Sequence, residues 1–308
     1  MAGLCEDNPR DFLAALGVLR LVDMLWSTHQ PTLCWNEDGH PLLKACLALP
    51  EEWTELMTAA LQSLNNQTPH PFVHHKVIKT ELETLRCRFV GALEFGEAST
   101  DLAKLPAVLY AAYGSQVHDM EKGVANPTAF SFSNGQGGKE LLRDIAEMID
   151  EELTPANLVH DLTTCGSGKR DAKSFRWNPA ELRTAAYRAH DPGSGVKGDV
   201  TLDYPSANIL AFFGLTYYPV VDTTQREYTL GISRRRRLGD CFTWPIWEHY
   251  LSSDVISSIL HHPFVHTDPP NRLGNRSLGI SRAYRSVRMK VGKPPTISLY
   301  FATAEALF

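Results

Sequence analysis

The chain has no C-x-x-C pair: Cys5, Cys34, Cys46, Cys87, Cys165 and Cys241 lie far apart. This scatter excludes a zinc ribbon and a dense disulfide framework, and predicts free, buried thiols in a reducing compartment. A long hydrophobic run is also missing. The longest, residues 209–221, is too short to span a bilayer and contains Pro219, so no membrane association is expected. Glu6 and Asp7 stand where a secretory leader would be basic, which predicts no signal peptide and a cytoplasmic location. There is no low-complexity tract and no internal repeat.

Catalytic signatures are scarce too. Residues 133–140, SNGQGGKE, resemble a Walker A loop only superficially. Ser133 replaces its first glycine, and Glu140 stands where a Mg²⁺-binding Ser or Thr belongs, which excludes nucleotide hydrolysis. A phosphate contact by backbone N–H groups, or a plain strand-to-helix turn, remains open there. Histidines cluster at His70, His74 and His75, and again at His261, His262 and His266. Pro71 and Pro263 interrupt any helix that would align either set, and no paired cysteines complete a four-ligand site. No nucleophile or orienting carboxylate accompanies His262. The sequence therefore predicts no catalytic residue, no metal and no cofactor. A metal-dependent nuclease built on the histidines is the least favoured reading.

What is present is enough for a real core. The chain has 308 residues, 43% of them apolar and 21% charged, consistent with one large domain or two closely packed subdomains. The net charge of −5 hides an asymmetry: residues 1–160 carry −11 and residues 161–308 carry +6. The expected organisation is an acidic, mainly helical part at 1–160 and a basic α+β part at 161–308 that ends in a basic arm at 272–293. Helices and short strands mix without regular alternation, which favours α+β over a doubly wound sheet.

Asn8 and Pro9 open a helix as N-cap and first helical residue, and Gly17 within it marks close packing against another backbone. Residues 32–35 read as a strand. Further helices are expected at 50–64 (apolar face Trp53, Leu56, Met57, Ala60 and Leu64), 101–113 (kinked at Pro106), 139–152, 155–164 and 207–214. A helix after Leu251 should bury Val255, Ile256, Ile259 and Leu260. Residues 191–195 suggest an exposed linker. Alternation of Phe242, Trp244 and Ile246 gives a strand with one buried face, and Pro245 places it at an edge or bulge. Residues 287–291 and 296–301 are expected to pair as a hairpin.

Three basic clusters stand out. Lys169, Arg170, Lys173 and Arg176 flank Phe175 and Trp177. Arg234, Arg235, Arg236 and Arg237 form an uninterrupted run on a loop. Arg272, Arg276, Arg282, Arg285, Arg288, Lys290 and Lys293 follow one another with no acidic residue among them. Arginine suits bidentate phosphate contacts. If these loops converge, they form a track for single-stranded or guide-paired nucleic acid; the pattern equally fits solvated faces or a contact with an acidic protein. The candidate nucleic-acid-binding residues are Arg234, Arg235, Arg236, Arg237, Lys169, Arg170, Arg285 and Arg288. Trp244 and Trp247 are read as core rather than as base-stacking platforms.

Several stretches share an order with a known family. They are NPRDFLAALGVLR at 8–20, LCW at 33–35, NPTAF at 126–130, SNGQ at 133–136, FRWNP at 175–179, RAHDP at 188–192, PVV at 219–221 and FTWPIW at 242–247. Together they resemble CRISPR-associated proteins of subtype I-G, formerly I-U. The match fits two groups there: a small accessory subunit, and an extension of the Cas helicase–nuclease. The resemblance implies a non-catalytic role in RNA-guided antiviral defence. Expected partners are guide RNA, target DNA, other effector subunits or the helicase–nuclease. A protein adaptor that docks the helicase–nuclease is the alternative. The resemblance supplies no catalytic residues.

Overall fold

The computed structural model describes residues 1–26, 28, 30–45, 50–64, 87, 89–94, 101–119, 124–132, 141–179, 182–183, 201–222, 227–268, 270–291 and 298–308. In chain order the labelled elements begin with α1 (Pro9–Leu25), β1 (Thr32–Trp35), β2 (Pro41–Lys44), α2 (Pro50–Leu64), α3 (Leu105–Tyr113), β3 (Gly114–Asp119) and β4 (Val124–Pro127). There follow α4 (Leu141–Glu151), α5 (Pro155–Thr163), β5 (Arg170–Asp171), β6 (Leu182–Arg183), β7 (Thr201–Asp203) and α6 (Pro205–Gly214). Next come β8 (Val220–Asp222), β9 (Glu227–Thr229), β10 (Ile232–Arg235), β11 (Gly239–Trp247), β12 (Leu251–Ser252) and α7 (Ser253–Leu260). The chain closes with α8 (Arg272–Ser277), β13 (Ile280–Val291), β14 (Ser298–Phe301) and β15 (Glu305–Ala306). The described strand pairs are all antiparallel, in small sheets set among helices, so the fold is α+β.

Two buried helices form the centre. Asn8 caps α1, its Oδ1 accepting from Arg10 N at 3.0 Å, and Pro9 takes the first turn. α1 crosses α6 at backbone contact. A Cβ on Gly17 would lie 1.8 Å from Leu210 O, and one on Gly214 would lie 2.0 Å from Leu13 O. Glycine is needed at both positions because no side-chain atom fits between the two backbones.

Around this pair, one apolar cluster runs through both the acidic and the basic half, from Leu4 to Phe301. Phe12 of α1 is a hub. Its ring lies 5.9 Å from Trp35, 5.9 Å from Trp244, 6.3 Å from Phe242 and 6.3 Å from Trp247. Three of the buried indoles also find acceptors, Trp35 Nε1 being left without one among the described residues: Trp244 Nε1 donates to Glu6 O, Trp247 Nε1 to Leu33 O and Trp177 Nε1 to Phe130 O, each at 2.8 Å. A buried indole N–H left unpaired would cost free energy, so these bonds fix where β11 sits relative to the first half of the chain.

The largest sheet has the order β10–β11–β13–β14, with β15 also on β13. β13 spans much of the stretch expected as a basic arm, and here it is an interior strand. β14 pairs with its end, Arg288 opposite Phe301, as the expected hairpin requires. Pro245 lies on β11 beyond the stretch that β10 covers, and the ladder with β13 shifts register between Ile246 and Trp247. It thus occupies a local edge beside a bulge.

Several details differ from the sequence expectations. Leu56 is 55% exposed, while Thr54, Met57, Thr58 and Leu61 are buried; the inward stripe of α2 is rotated by about one residue. Val255 is also exposed, because the buried face of α7 is made by Ser253, Ile256, Ile259 and Leu260. Pro106 falls in the first turn of α3, after a 3-10 turn, rather than kinking a longer helix. Cys34 and Cys241 are buried, but Cys87 and Cys165 are exposed. Burial, Asp11 and the neighbouring Cys165 push the Cys5 thiol up to about 12.

A buried polar network ties the layers together. Arg10 Nε donates to Asp11 Oδ1 and Arg10 Nη1 to Asp203 Oδ1, both at 2.6 Å. Asn178 Nδ2 adds a bond to Asp203 Oδ1 at 2.6 Å, Asn208 Nδ2 one to Asp203 Oδ2 at 3.1 Å, and Asn8 Nδ2 one to Asn178 Oδ1 at 2.8 Å. Burial alone would lower the Arg10 pKa, but Asp11 and Asp203 raise it. Arg10→Met leaves these carboxylates uncompensated and should destabilise the fold by about 3–5 kcal/mol. Gly17→Ala should cost about 3 kcal/mol or more, since neither backbone can retreat. Both are read as lower denaturant midpoints at unchanged m-value.

Candidate nucleic-acid interface

The arginine run is part of a β-hairpin. Arg234 and Arg235 end β10, Arg236 and Arg237 form the turn with Leu238, and Gly239 begins β11 at φ +85°. It was expected to lie wholly on a loop, but the cross-strand pairs Arg234–Asp240 and Arg235–Gly239 extend the ladder into it. Strand alternation then separates neighbours. Arg234 lies in one row with Asp240 and Arg288. Arg235 lies on the opposite face with Ser233, Cys241, Thr243 and Arg285.

The two rows are held differently. Arg288 Nη1 is 3.4 Å from Asp240 Oδ2, and its guanidinium lies 5.4 Å from the Phe132 ring centroid. Burial lowers the Arg288 pKa, partly offset by Asp240. On the other face Arg235 Nη2 donates to His266 O at 2.7 Å. Arg235 and Arg285 each stand 3.8 Å from one oxygen of Asp268. Arg285 is only 6% exposed. Arg234, Arg236 and Arg237 are exposed, and among the described residues none of the three has an ion pair.

Lys169 and Arg170 are placed by other elements. Arg170 Nη2 bonds to Asp161 Oδ2 of α5 at 2.7 Å, and Lys169 Nζ lies 5.9 Å from the Tyr204 ring centroid. Lys173 is clamped by Asp144, at 3.0 Å, and by Glu147. Arg282 bonds to Glu6 and lies 3.3 Å from Glu248. The structure thus brings Arg234, Arg235, Arg236, Arg237, Arg285 and Arg288 together on one hairpin and its neighbouring strand. Lys169 and Arg170 are anchored on α5 and before α6.

Trp244 and Trp247 are fully buried, as the strand pattern predicts, and Phe175 and Trp177 are buried with them. None of these rings is presented to a base. The histidines of the second cluster hold backbone. His261 Nε2 donates to Tyr217 O at 2.7 Å and His266 Nε2 to Leu260 O at 2.8 Å, while His262 Nδ1 accepts from Phe264 N at 3.3 Å. No group of three metal-ligating side chains occurs among the described residues. His70, His74 and His75, the glycine-rich turn at 134–139 and the linker at 191–195 lie outside the described residues.

Asp240 and Asp268 set the charge of this surface, and sequence reasoning did not single out either one. Asp240 had a usable signal, because it sits opposite Arg234 in any tight hairpin. Asp268 had none, since it reaches the arginines from a loop after α7.

No protein-family model matches the chain, and no curated protein matches it. No described helix is long and apolar enough to cross a membrane.

Burial lowers the His266 pKa below its ordinary value of 6.5, with smaller contributions from His261 and Arg235 and an opposing bond to Leu260 O. As pH falls through that ordinary value, the unfolded chain takes up the proton before the folded one, so stability declines from there downward. His266→Gln keeps a donor for Leu260 O without the titration. Its urea midpoint should fall less steeply below pH 6.5 than that of the unaltered protein.

Proposed function

We propose that this protein is a non-catalytic, nucleic-acid-binding subunit of a type I CRISPR–Cas antiviral system, acting in the cytoplasm with guide RNA or target DNA and with other effector subunits. The observation that carries this reading is the hairpin tip. Arg234, Arg236 and Arg237 are exposed and without ion pairs among the described residues, while Arg235 and β11 hold their backbone in place. Arginines mounted on an ordered backbone contact successive phosphates without a backbone ordering cost. The ordered motifs that resemble subtype I-G proteins support the antiviral setting.

The internal pairing of Arg170, Arg282 and Arg288 limits how wide a polyanion track this chain presents. Contacts should therefore be few and centred on the tip. A second reading, a protein adaptor that docks the helicase–nuclease, is favoured by Leu273, which is 83% exposed beside Arg272 and Arg276 on α8.

Binding to single-stranded RNA and DNA should be measured by fluorescence anisotropy across a salt series. The triple variant Arg234→Ala, Arg236→Ala, Arg237→Ala should weaken binding and reduce the log–log salt slope by about 2. No binding at low salt, or a variant indistinguishable from the parent, overturns the phosphate-contact reading. Copurification with the helicase–nuclease after nuclease digestion, without intrinsic nucleic-acid affinity, would establish the adaptor instead.

A further inference from the structure

The face of the sheet that carries Arg235 is unusual in its polar accounting. Cross-strand pairing puts Ser233 opposite Cys241, Arg235 opposite Gly239 and Thr243 opposite Arg285, so these side chains share one surface. Several of their polar atoms are buried without a hydrogen-bond partner among the described residues: Ser233 Oγ, Thr243 Oγ1, Arg235 Nε, Arg285 Nε and Arg285 Nη2. Native proteins seldom leave so many donors unsatisfied in one place, because each costs free energy when dry. The segment above them is a 3-10 turn at Pro263–His266, where His266 Nδ1 is also buried and unpartnered, as an acceptor, because Nε2 carries the proton donated to Leu260 O. Among the described residues, the carboxylate ion-paired with both guanidinium groups is Asp268. It is 3.8 Å from each guanidinium, too far for a hydrogen bond, and its side chain is 49% exposed.

We infer that this face is a seat for a tetrahedral oxyanion of the phosphoryl class, and that Asp268 is its internal occupant. Two guanidinium groups and two hydroxyls from three adjacent strands offer convergent donors, the set that phosphate oxygens require. A carboxylate has two oxygens and bridges both arginines only loosely. A phosphoryl group has more oxygens and satisfies donors that Asp268 leaves empty. Asp268 lies on a half-exposed loop, so it withdraws without disturbing the ladder. Glu305, opposite Arg285 on β15, is the other acidic group at this edge. The inference rests on the phosphate-contacting reading above and adds to it a defined seat with a built-in competitor. The phosphoryl group is either a backbone phosphodiester or free phosphate.

Inorganic phosphate and a ten-nucleotide oligothymidylate should each be titrated by calorimetry, then against each other. Asp268→Asn removes the competing charge and should tighten phosphate binding about tenfold. Thr243→Val should weaken phosphate binding several-fold yet leave the melting temperature without ligand unchanged or higher, because that hydroxyl has no partner to lose. The Thr243→Val result separates a binding role from a folding role even if Arg285→Gln fails to fold. Competition between phosphate and the oligonucleotide assigns the seat to a backbone phosphate. Phosphate binding that the oligonucleotide leaves intact assigns it to free phosphate. Phosphate binding that Asp268→Asn strengthens, with no oligonucleotide affinity, upholds the seat and removes the nucleic-acid reading. Oligonucleotide binding with no phosphate binding to either the parent or Asp268→Asn overturns the seat and leaves the nucleic-acid reading standing.

Discussion

Arg10 is a fully buried cation, and the rest of the molecule is arranged to keep it paired. A lone guanidinium in an apolar interior is prohibitively costly, so its partners must arrive from wherever the chain can supply them. Asp11 comes from the next position, and Asp203 from nearly two hundred residues away. Asn178 and Asn208 then complete Asp203. The pairing requires β7, the segment at 175–178 and the start of α6 to meet at the first turn of α1. The glycine contacts at Gly17 and Gly214 are the apolar counterpart of the same requirement, because α6 cannot present Asn208 unless its backbone lies against α1.

The sheet is attached to this centre by a second polar link. Glu6 precedes α1. Its carbonyl accepts from Trp244, while its carboxylate accepts from Arg282 at 2.9 Å and Tyr284 at 2.8 Å. One residue therefore fixes both β11 and β13. An acidic group of the first half neutralises a cation of the second, just as Asp144 and Glu147 neutralise Lys173. Part of the charge asymmetry between the two halves is thus cancelled inside the molecule. Among the described residues, the hairpin tip keeps three exposed arginines outside that cancellation.

Much of the scaffold could be read from local rules. The N-cap at Asn8, the close approach at Gly17, the buried tryptophans and the local edge at Pro245 all follow from chemistry within a few residues of the feature. The faces of α2 and α7 were harder. Leu56 and Val255 are apolar but exposed, since tertiary contacts, not hydrophobicity, decide which side of a short helix is covered. The Arg10 network was not legible, because nothing near Asp203 or Asn178 marks them as partners of residue 10. The site was legible as a set of cations but not as an arrangement. Sequence counts charges, whereas Asp240 and Asp268 determine which of them are free. The motifs that carry the family resemblance include Asn8, Arg10, Phe130, Trp177, Asn178 and Trp244. In the structure these are residues of the core and its polar ties rather than of an exposed surface.

The arginine run has a physical logic that a single basic patch lacks. In an extended strand, adjacent residues face opposite ways, so Arg234 and Arg235 cannot share a ligand on one surface. Arg235 is committed to His266 O and the neighbourhood of Arg285, and in that position it braces the strand. Braced by it, Arg234 projects from the other face, and Arg236 and Arg237 project from the turn. An isolated pair of arginines on a flexible loop would present similar charge but would lose side-chain and backbone freedom on each contact. Four in succession across a strand end and its turn give one cation to anchor and three to present, with the backbone ordering cost met when the hairpin folds.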